Sequence, residues 1–214
     1  KNYESDETQI VVGKPVLNNK FLDLDGLKEK VIVSIPLSSE DVSVKEDNLE
    51  KNFNVQVSLT NRIKSLFTDN AEKDIVLQNV KGNIDIEYTT PAPKKTEKNI
   101  SNKEKQVEIS APELGYTNVL AFSELPSQVK SKDEIKLYWE NNKNQEMDFQ
   151  LFDKNNDGLY DYIEWIVPHL SDQIFNIIIV TKAEHLDSSR NFIENVFPQI
   201  QFKDEFSTEI PEGD

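Results

Sequence analysis

Short runs in which apolar and polar residues alternate recur along this chain of 214 residues, and nothing before residue 184 keeps a sustained helical period. A period of two places successive side chains on opposite faces of a strand, so these runs predict half-buried β-strands. The clearest in the first half are residues 31–37 (VIVSIPL), 53–59 (FNVQVSL), 75–80 and 84–88 (IDIEY). In residues 53–59, Phe53, Val55, Val57 and Leu59 share one face, while Asn54, Gln56 and Ser58 share the other. The pattern resumes at 106–110, 116–122 (YTNVLAF), 134–139 (EIKLYW), 147–152 and 175–181 (FNIIIVT). The last run is almost continuously apolar and β-branched, as expected of a central strand covered on both sides. Turn signals spaced about ten residues apart make the expected class all-β, with two β-sandwich-like domains.

Breaks in the pattern divide the chain. Residues 1–9 are polar and read as a flexible leader, 10–90 as the first domain, and 91–183 as the second. Residues 38–51 are charged and read as an outward loop with brief pairing at Val42 and Val44. Residues 89–105 (TTPAPKKTEKNISNKEK) combine two prolines with lysines and asparagines, the profile of a linker or long exposed connection. Asn99-Ile100-Ser101 within it is an N-glycosylation sequon. Residues 184–214 read as a helical and then acidic tail. Asp187 or Ser188 would cap a helix over 186–197 with a stripe of Phe192, Ile193, Val196 and Phe197, and Pro198 would stop it.

Charge narrows the partners. The formal net charge is −15, with 29% charged and 36% hydrophobic residues. So acidic a surface repels phosphate backbones and acidic membranes and attracts divalent cations, so no nucleic-acid partner is expected. The chain has no cysteine, which excludes a disulfide framework, a zinc–cysteine site and a thiol nucleophile. No apolar run approaches the ~20 residues of a membrane span. The first residue is Lys1, which is compatible with removal of a signal peptide or anchor.

Against that background one segment carries chemistry. Residues 153–164 read DKNNDGLYDYIE and satisfy the whole calcium-loop pattern D-x-[DN]-x-[DN]-G-x₅-E. Calcium prefers six to eight hard oxygens. Asp153, Asn155 and Asp157 would supply side-chain oxygens, Leu159 its carbonyl, Asp161 an oxygen through water, and Glu164 both carboxylate oxygens. Gly158 allows the sharp turn, and Tyr160 occupies the slot expected to fasten the loop to the core. The entering segment MDFQLF looks like a strand, and the exit leaves room for at most two helical turns before Pro168. A single loop without a partner loop suits a permanent structural clip rather than a switch.

The other candidates are less specific. Asp23-Leu24-Asp25-Gly26 starts a calcium-like loop without its continuation and reads as a turn. His169 and His185 are the only histidines, too few for a zinc site. Trp139, Trp165 and the tyrosines would serve either a core or a carbohydrate platform. No nucleophile elbow, phosphate loop or dinucleotide fingerprint occurs, so no catalytic residue is assigned and the chain is expected to be non-enzymatic.

The stretches 116–126, 135–139, 153–171 (DKNNDGLYDYIEWIVPHLS) and 175–187 together resemble a β-sandwich module of large secreted cell-surface proteins from archaea and some bacteria. The resemblance covers roughly residues 80–187. It implies an extracellular location and a structural calcium ion at Asp153, Asn155, Asp157, Leu159, Asp161 and Glu164, and no catalytic residue. The expected function is a structural or adhesive module of a surface filament or layer. Its expected partners are calcium, copies of itself, neighbouring surface proteins or glycans. The alternatives are a carbohydrate-binding module and an accessory domain of a secreted hydrolase.

Overall fold

A computed structural model of the chain describes residues 9–180 and 184–195; the expected leader (apart from Gln9) and the acidic end of the tail lie outside them. The described chain is built from short strands: β1 (Val16–Leu22), β2 (Lys28–Pro36), β3 (Glu40–Glu46), β4 (Leu49–Glu50), β5 (Asn54–Gln56), β6 (Glu72–Val80) and β7 (Ile84–Thr90). There follow β8 (Lys94–Ser101), β9 (Glu104–Ser110), β10 (Thr117–Val129), β11 (Ile135–Trp139), β12 (Gln145–Glu146) and β13 (Gln150–Phe152). The last are β14 (Tyr160–His169), β15 (Gln173–Ile179), β16 (Glu184–Leu186) and β17 (Phe192–Asn195). Among the described residues one short α-helix, α1 (Leu59–Lys64), and two single 3₁₀ turns, Lys132–Glu134 and Glu140–Asn142, interrupt them. By spatial contact the chain forms two units. One comprises Lys1–Lys95, Ile109–Ala121 and Val167–Asp172, the other Thr96–Glu108, Phe122–Ile166 and Gln173–Asp214.

The first unit holds two sheets, ordered β1-β7-β3-β4 and β2-β6-β5. Their alternating residues meet in one core. Val33, Ile35, Ile75, Leu77 and Val80 come from one sheet, and Val44, Ile84, Ile86 and Tyr88 from the other. Two antiparallel sheets sharing an apolar interior make a sandwich-like layer pair. Each fully buried aliphatic side chain there contributes roughly 1.5–3 kcal/mol. The register follows the alternation: Val33 faces Ile75, and Ile35 faces Lys73.

The expected strand over 53–59 stops at Gln56. Ser58 has extended backbone and its hydroxyl accepts from the Asn61 amide at 3.1 Å, so it caps α1 instead of continuing the alternation. Leu59, assigned to a buried face by periodicity, is 73% exposed. The expected outward loop at 38–51 is also ordered. β3 and β4 form a hairpin around Asp47 and Asn48, whose φ values of 45° and 67° are those of a primed turn.

The second unit contains the sheet ordered β12-β11-β15-β9-β8 and strands of the sheet β10-β14-β13. β15 lies in the middle of its sheet, with Phe175, Ile177 and Ile179 buried and Ile174, Asn176 and Ile178 only half-buried on the other face. Trp165 of β14 packs on Phe175 at 5.4 Å between ring centres, and Phe175 packs on Trp139 at 6.1 Å. Buried aromatics thus link strands of both sheets. The expected linker over 89–105 is not a linker. β7 runs to Thr90, β8 begins at Lys94, and a two-residue turn leads into β9. Lysines disguise it because β8 is an edge strand, where charged side chains protect unpaired backbone. Asn99 and Ser101 of the sequon lie exposed on that strand.

The expected helix over 186–197 is replaced, as far as residue 195, by the β16–β17 hairpin. Asp187 does act as a cap, but for the turn. Its Oδ1 accepts from the Ser189 amide at 2.9 Å and the Asn191 amide at 2.7 Å, and Arg190 adopts φ 66°.

Candidate metal site

Residues 153–159 connect two antiparallel strands of the second unit. β13 and β14 pair as Gln150 with Glu164, Leu151 with Ile163 and Phe152 with Tyr162, so the connection is a hairpin loop. The acidic pattern shapes this loop through its own amides. The two carboxylate oxygens of Asp153 accept from the Asp157 amide at 3.2 Å and the Gly158 amide at 2.9 Å. Asn155 Oδ1 accepts from the Asp157 amide at 2.9 Å, and Asp157 Oδ1 from the Leu159 amide at 2.9 Å. Such side chain-to-backbone bonds wind the chain around its oxygens. Asn156 at φ 60° and Gly158 at φ 87° complete the coil. A Cβ at Gly158 would meet nothing within 4 Å, so the glycine serves the left-handed backbone rather than a close approach.

Asp153, Asn155 and Asp157 are therefore brought together, and Leu159 follows them in the coil. Asp161 is turned back, its Oδ1 accepting from the Lys154 amide at 3.0 Å. Glu164 stands apart. Both residues belong to β14, where an offset of three puts side chains on opposite faces and separates the positions by roughly 10 Å. Among the described residues no three His, Cys, Asp or Glu side chains gather as a ready metal group. The oxygens at Asp153, Asn155, Asp157 and the Leu159 carbonyl have the hard character that calcium selects.

Three groups at the loop carried no signal in the sequence pattern. Gln128 of β10 donates its amide to Asp157 Oδ2 at 2.9 Å. That bond, followed by those from the Leu159 amide and Asn155, holds the Asp157 carboxyl below its usual value. Lys154 lies with its ammonium 3.0 Å from the centre of the Tyr162 ring. Tyr162 in turn stacks on Phe122 at 5.8 Å and meets Phe152 edge-on at 6.3 Å. Tyr162 is buried while Tyr160 is 36% exposed, so the residue that fastens the loop is Tyr162. A strand exit explains the exchange, since Tyr162 falls inward on β14 whereas a helical exit would favour another phase. Burial, and then the charges of Glu164, Glu124 and Glu97, push the Tyr162 hydroxyl up.

The remaining candidates resolve simply. Asp23, Asp25 and Gly26 lie in the β1–β2 connection, with Gly26 at φ 68°. His169 ends β14 and is exposed. Trp139 and Trp165 are 5% and 2% exposed, so neither offers a flat face to a sugar ring. A concavity of about 310 Å³ in the first unit is lined by residues 42–44 and 50–53. Of its two ionisable residues, Lys51 is paired at 2.6 Å with Glu46. No described helix is long and apolar enough to cross a membrane. Comparison with protein-family models, curated proteins and solved structures returns no match.

Proposed function

We propose that this chain is a non-enzymatic extracellular structural or adhesive module in which a calcium ion, bound in residues 153–164, clips β13 to β14. The observation that carries the reading is the coil itself. Backbone amides already orient the oxygens of Asp153, Asn155 and Asp157, which lowers the cost of assembling a hard-oxygen site. The Leu159 carbonyl and Asp161 extend the set, with water supplying further ligands as calcium sites commonly allow. Glu164 joins only if the ladder pairs nearest the loop open, so it is the ligand of smallest weight. The acidic surface raises local cation concentration, and the resemblance to secreted surface modules supports an extracellular setting, where calcium is abundant.

Terbium luminescence and thermal melts with calcium or chelator test this on wild type, Asp153→Ala and Glu164→Gln. Binding and a calcium-dependent rise in Tm are expected for wild type, loss of both for Asp153→Ala, and a small change for Glu164→Gln. A wild-type Tm unmoved by chelation, with no terbium signal, would end the calcium reading.

A further inference from the structure

Among the described residues β8 ends its five-stranded sheet and pairs only with β9. Such an edge offers unpaired amides and carbonyls to an added strand, and charged side chains are the usual guard against one. The charges of β8 are Lys94, Lys95, Glu97 and Lys98, all in its first part. Its last three residues, Asn99, Ile100 and Ser101, carry none. Ile100, apolar and β-branched, is 47% exposed. At ~3.3 Å per residue, about 10 Å of edge is left without the guard. Those same three residues are the glycosylation sequon noted above.

The acceptor is also well placed for modification. Asn99 and Ser101 are both exposed, on the face of β8 opposite to Ile100. They end the strand beside the turn at 102–103, where the Ser101 hydroxyl accepts from the Lys103 amide at 3.1 Å. Lifting Asn99–Ser101 from the sheet breaks pairing to one neighbour and uncovers no buried side chain, so it costs little. No other asparagine of the chain has Ser or Thr two positions on, which makes the site unique.

We propose that Asn99 carries an N-linked oligosaccharide, and that this sugar shields the uncharged end of the β8 edge from strand addition. The donor class is an oligosaccharide joined through phosphate or pyrophosphate to a polyprenyl lipid, and a membrane-bound transferase catalyses the step. The Asn99 side-chain nitrogen forms a bond to the anomeric carbon and loses one proton, while the bond from that carbon to the lipid phosphate breaks. The lipid phosphate or pyrophosphate leaves with the bonding electrons, and no oxidant or reductant is needed. A bulky, hydrated group on the edge then does what charge does along Lys94–Lys98. The inference rests on the extracellular location proposed above but not on calcium.

The test is intact-mass spectrometry of the full chain isolated from the cells that make it, with surface and cytosolic fractions kept apart. Surface protein should be heavier than its sequence by an oligosaccharide, found on the tryptic peptide that begins at Asn99. Asn99→Gln and Ser101→Ala should lose the added mass, and Ser101→Thr, which keeps the hydroxyl, should retain it. Surface protein at its bare sequence mass, or added mass that survives Asn99→Gln, overturns the proposal and leaves the location standing. Bare protein found only in the cytosol overturns both. Sedimentation velocity tests the shield, with the fold of each variant checked by circular dichroism. Bare Asn99→Gln should self-associate at least about tenfold more tightly than the glycosylated chain. Adding Ile100→Lys to that variant, which puts a charge on the bare edge, should reverse the gain. Equal association with and without the sugar, or no reversal by Ile100→Lys, overturns the shielding role.

Discussion

Two acidic turns, one in each unit, settle their charge in different ways. At the β3–β4 hairpin, Glu46 Oε2 takes the Lys51 ammonium at 2.6 Å, while Oε1 takes the amides of Lys81 and, at 3.1 Å, Gly82. Asp47 Oδ1 takes the Asn83 amide at 3.0 Å. The hairpin turn is thereby tied to the β6–β7 turn by carboxylates that meet a cation and the chain's own donors. In residues 153–164 the carboxylates also take amides, but the loop's own cation, Lys154, sits over Tyr162. A turn neutralised from within should answer to pH. A turn left anionic should answer to a metal.

The largest effect expected is on the second turn. With calcium at about a hundred times its Kd, linkage adds about 2.7 kcal/mol to stability. Urea unfolding with and without calcium measures it, and Glu46→Gln should leave the increment unchanged. An increment that disappears in Glu46→Gln would break the contrast between the turns. Next is Gly82→Ala. A Cβ there would overlap the Asp47 carboxylate, which must swing away and release the Asn83 amide. A loss of at most about 1 kcal/mol is expected at neutral pH, because the freed amide is exposed to water, with no change in terbium binding.

The β-strands were legible where alternation and burial coincide, as in β11, where Ile135, Leu137 and Trp139 are buried between Lys136 and Tyr138. Legibility failed where one side chain decides between two local structures. Ser58 and Asp187 both accept backbone amides, and a capping oxygen serves a helix start or a hairpin turn equally well. Only tertiary pairing chose, and it chose oppositely at the two sites. β8 escaped because an edge strand has few inward positions to show a period. Asp47-Asn48 did carry a turn signal, hidden among the surrounding charges. At the candidate site the pattern foretold the coil but not its exit. That exit decides that Asp161 and Glu164 face apart and that Tyr162 is the anchor. Gln128 reaches Asp157 from β10, and such a contact leaves no mark in local sequence.

A smaller effect belongs to Glu46 and pH. Lys51, and then the Lys81 and Gly82 amides, lower its pKa from 4.5 to about 2. The folded value lies below the unfolded one, so the stabilisation is complete above about pH 4.5 and fades as the pH falls toward 2. Chemical denaturation over that window should show a slope that Glu46→Gln reduces. An equal slope in both proteins would place the acid sensitivity elsewhere.

The smallest effect is the most diagnostic, because its two readouts move in opposite directions. The Lys154 ammonium over Tyr162 contributes about 0.5–1 kcal/mol at an exposed position. Lys154→Met keeps most of the aliphatic stem and removes the charge, so without calcium it should destabilise the protein by about that amount. The same charge repels an incoming cation from the Asp153–Asp157 coil. Its removal should tighten terbium or calcium binding by about two- to fivefold, which corresponds to less than ~1 kcal/mol. A variant that loses stability and affinity together would mean that Lys154 holds the coil in shape. The lysine would then be a scaffold of the site, and the second turn would be less purely anionic than the contrast with Glu46 and Lys51 requires.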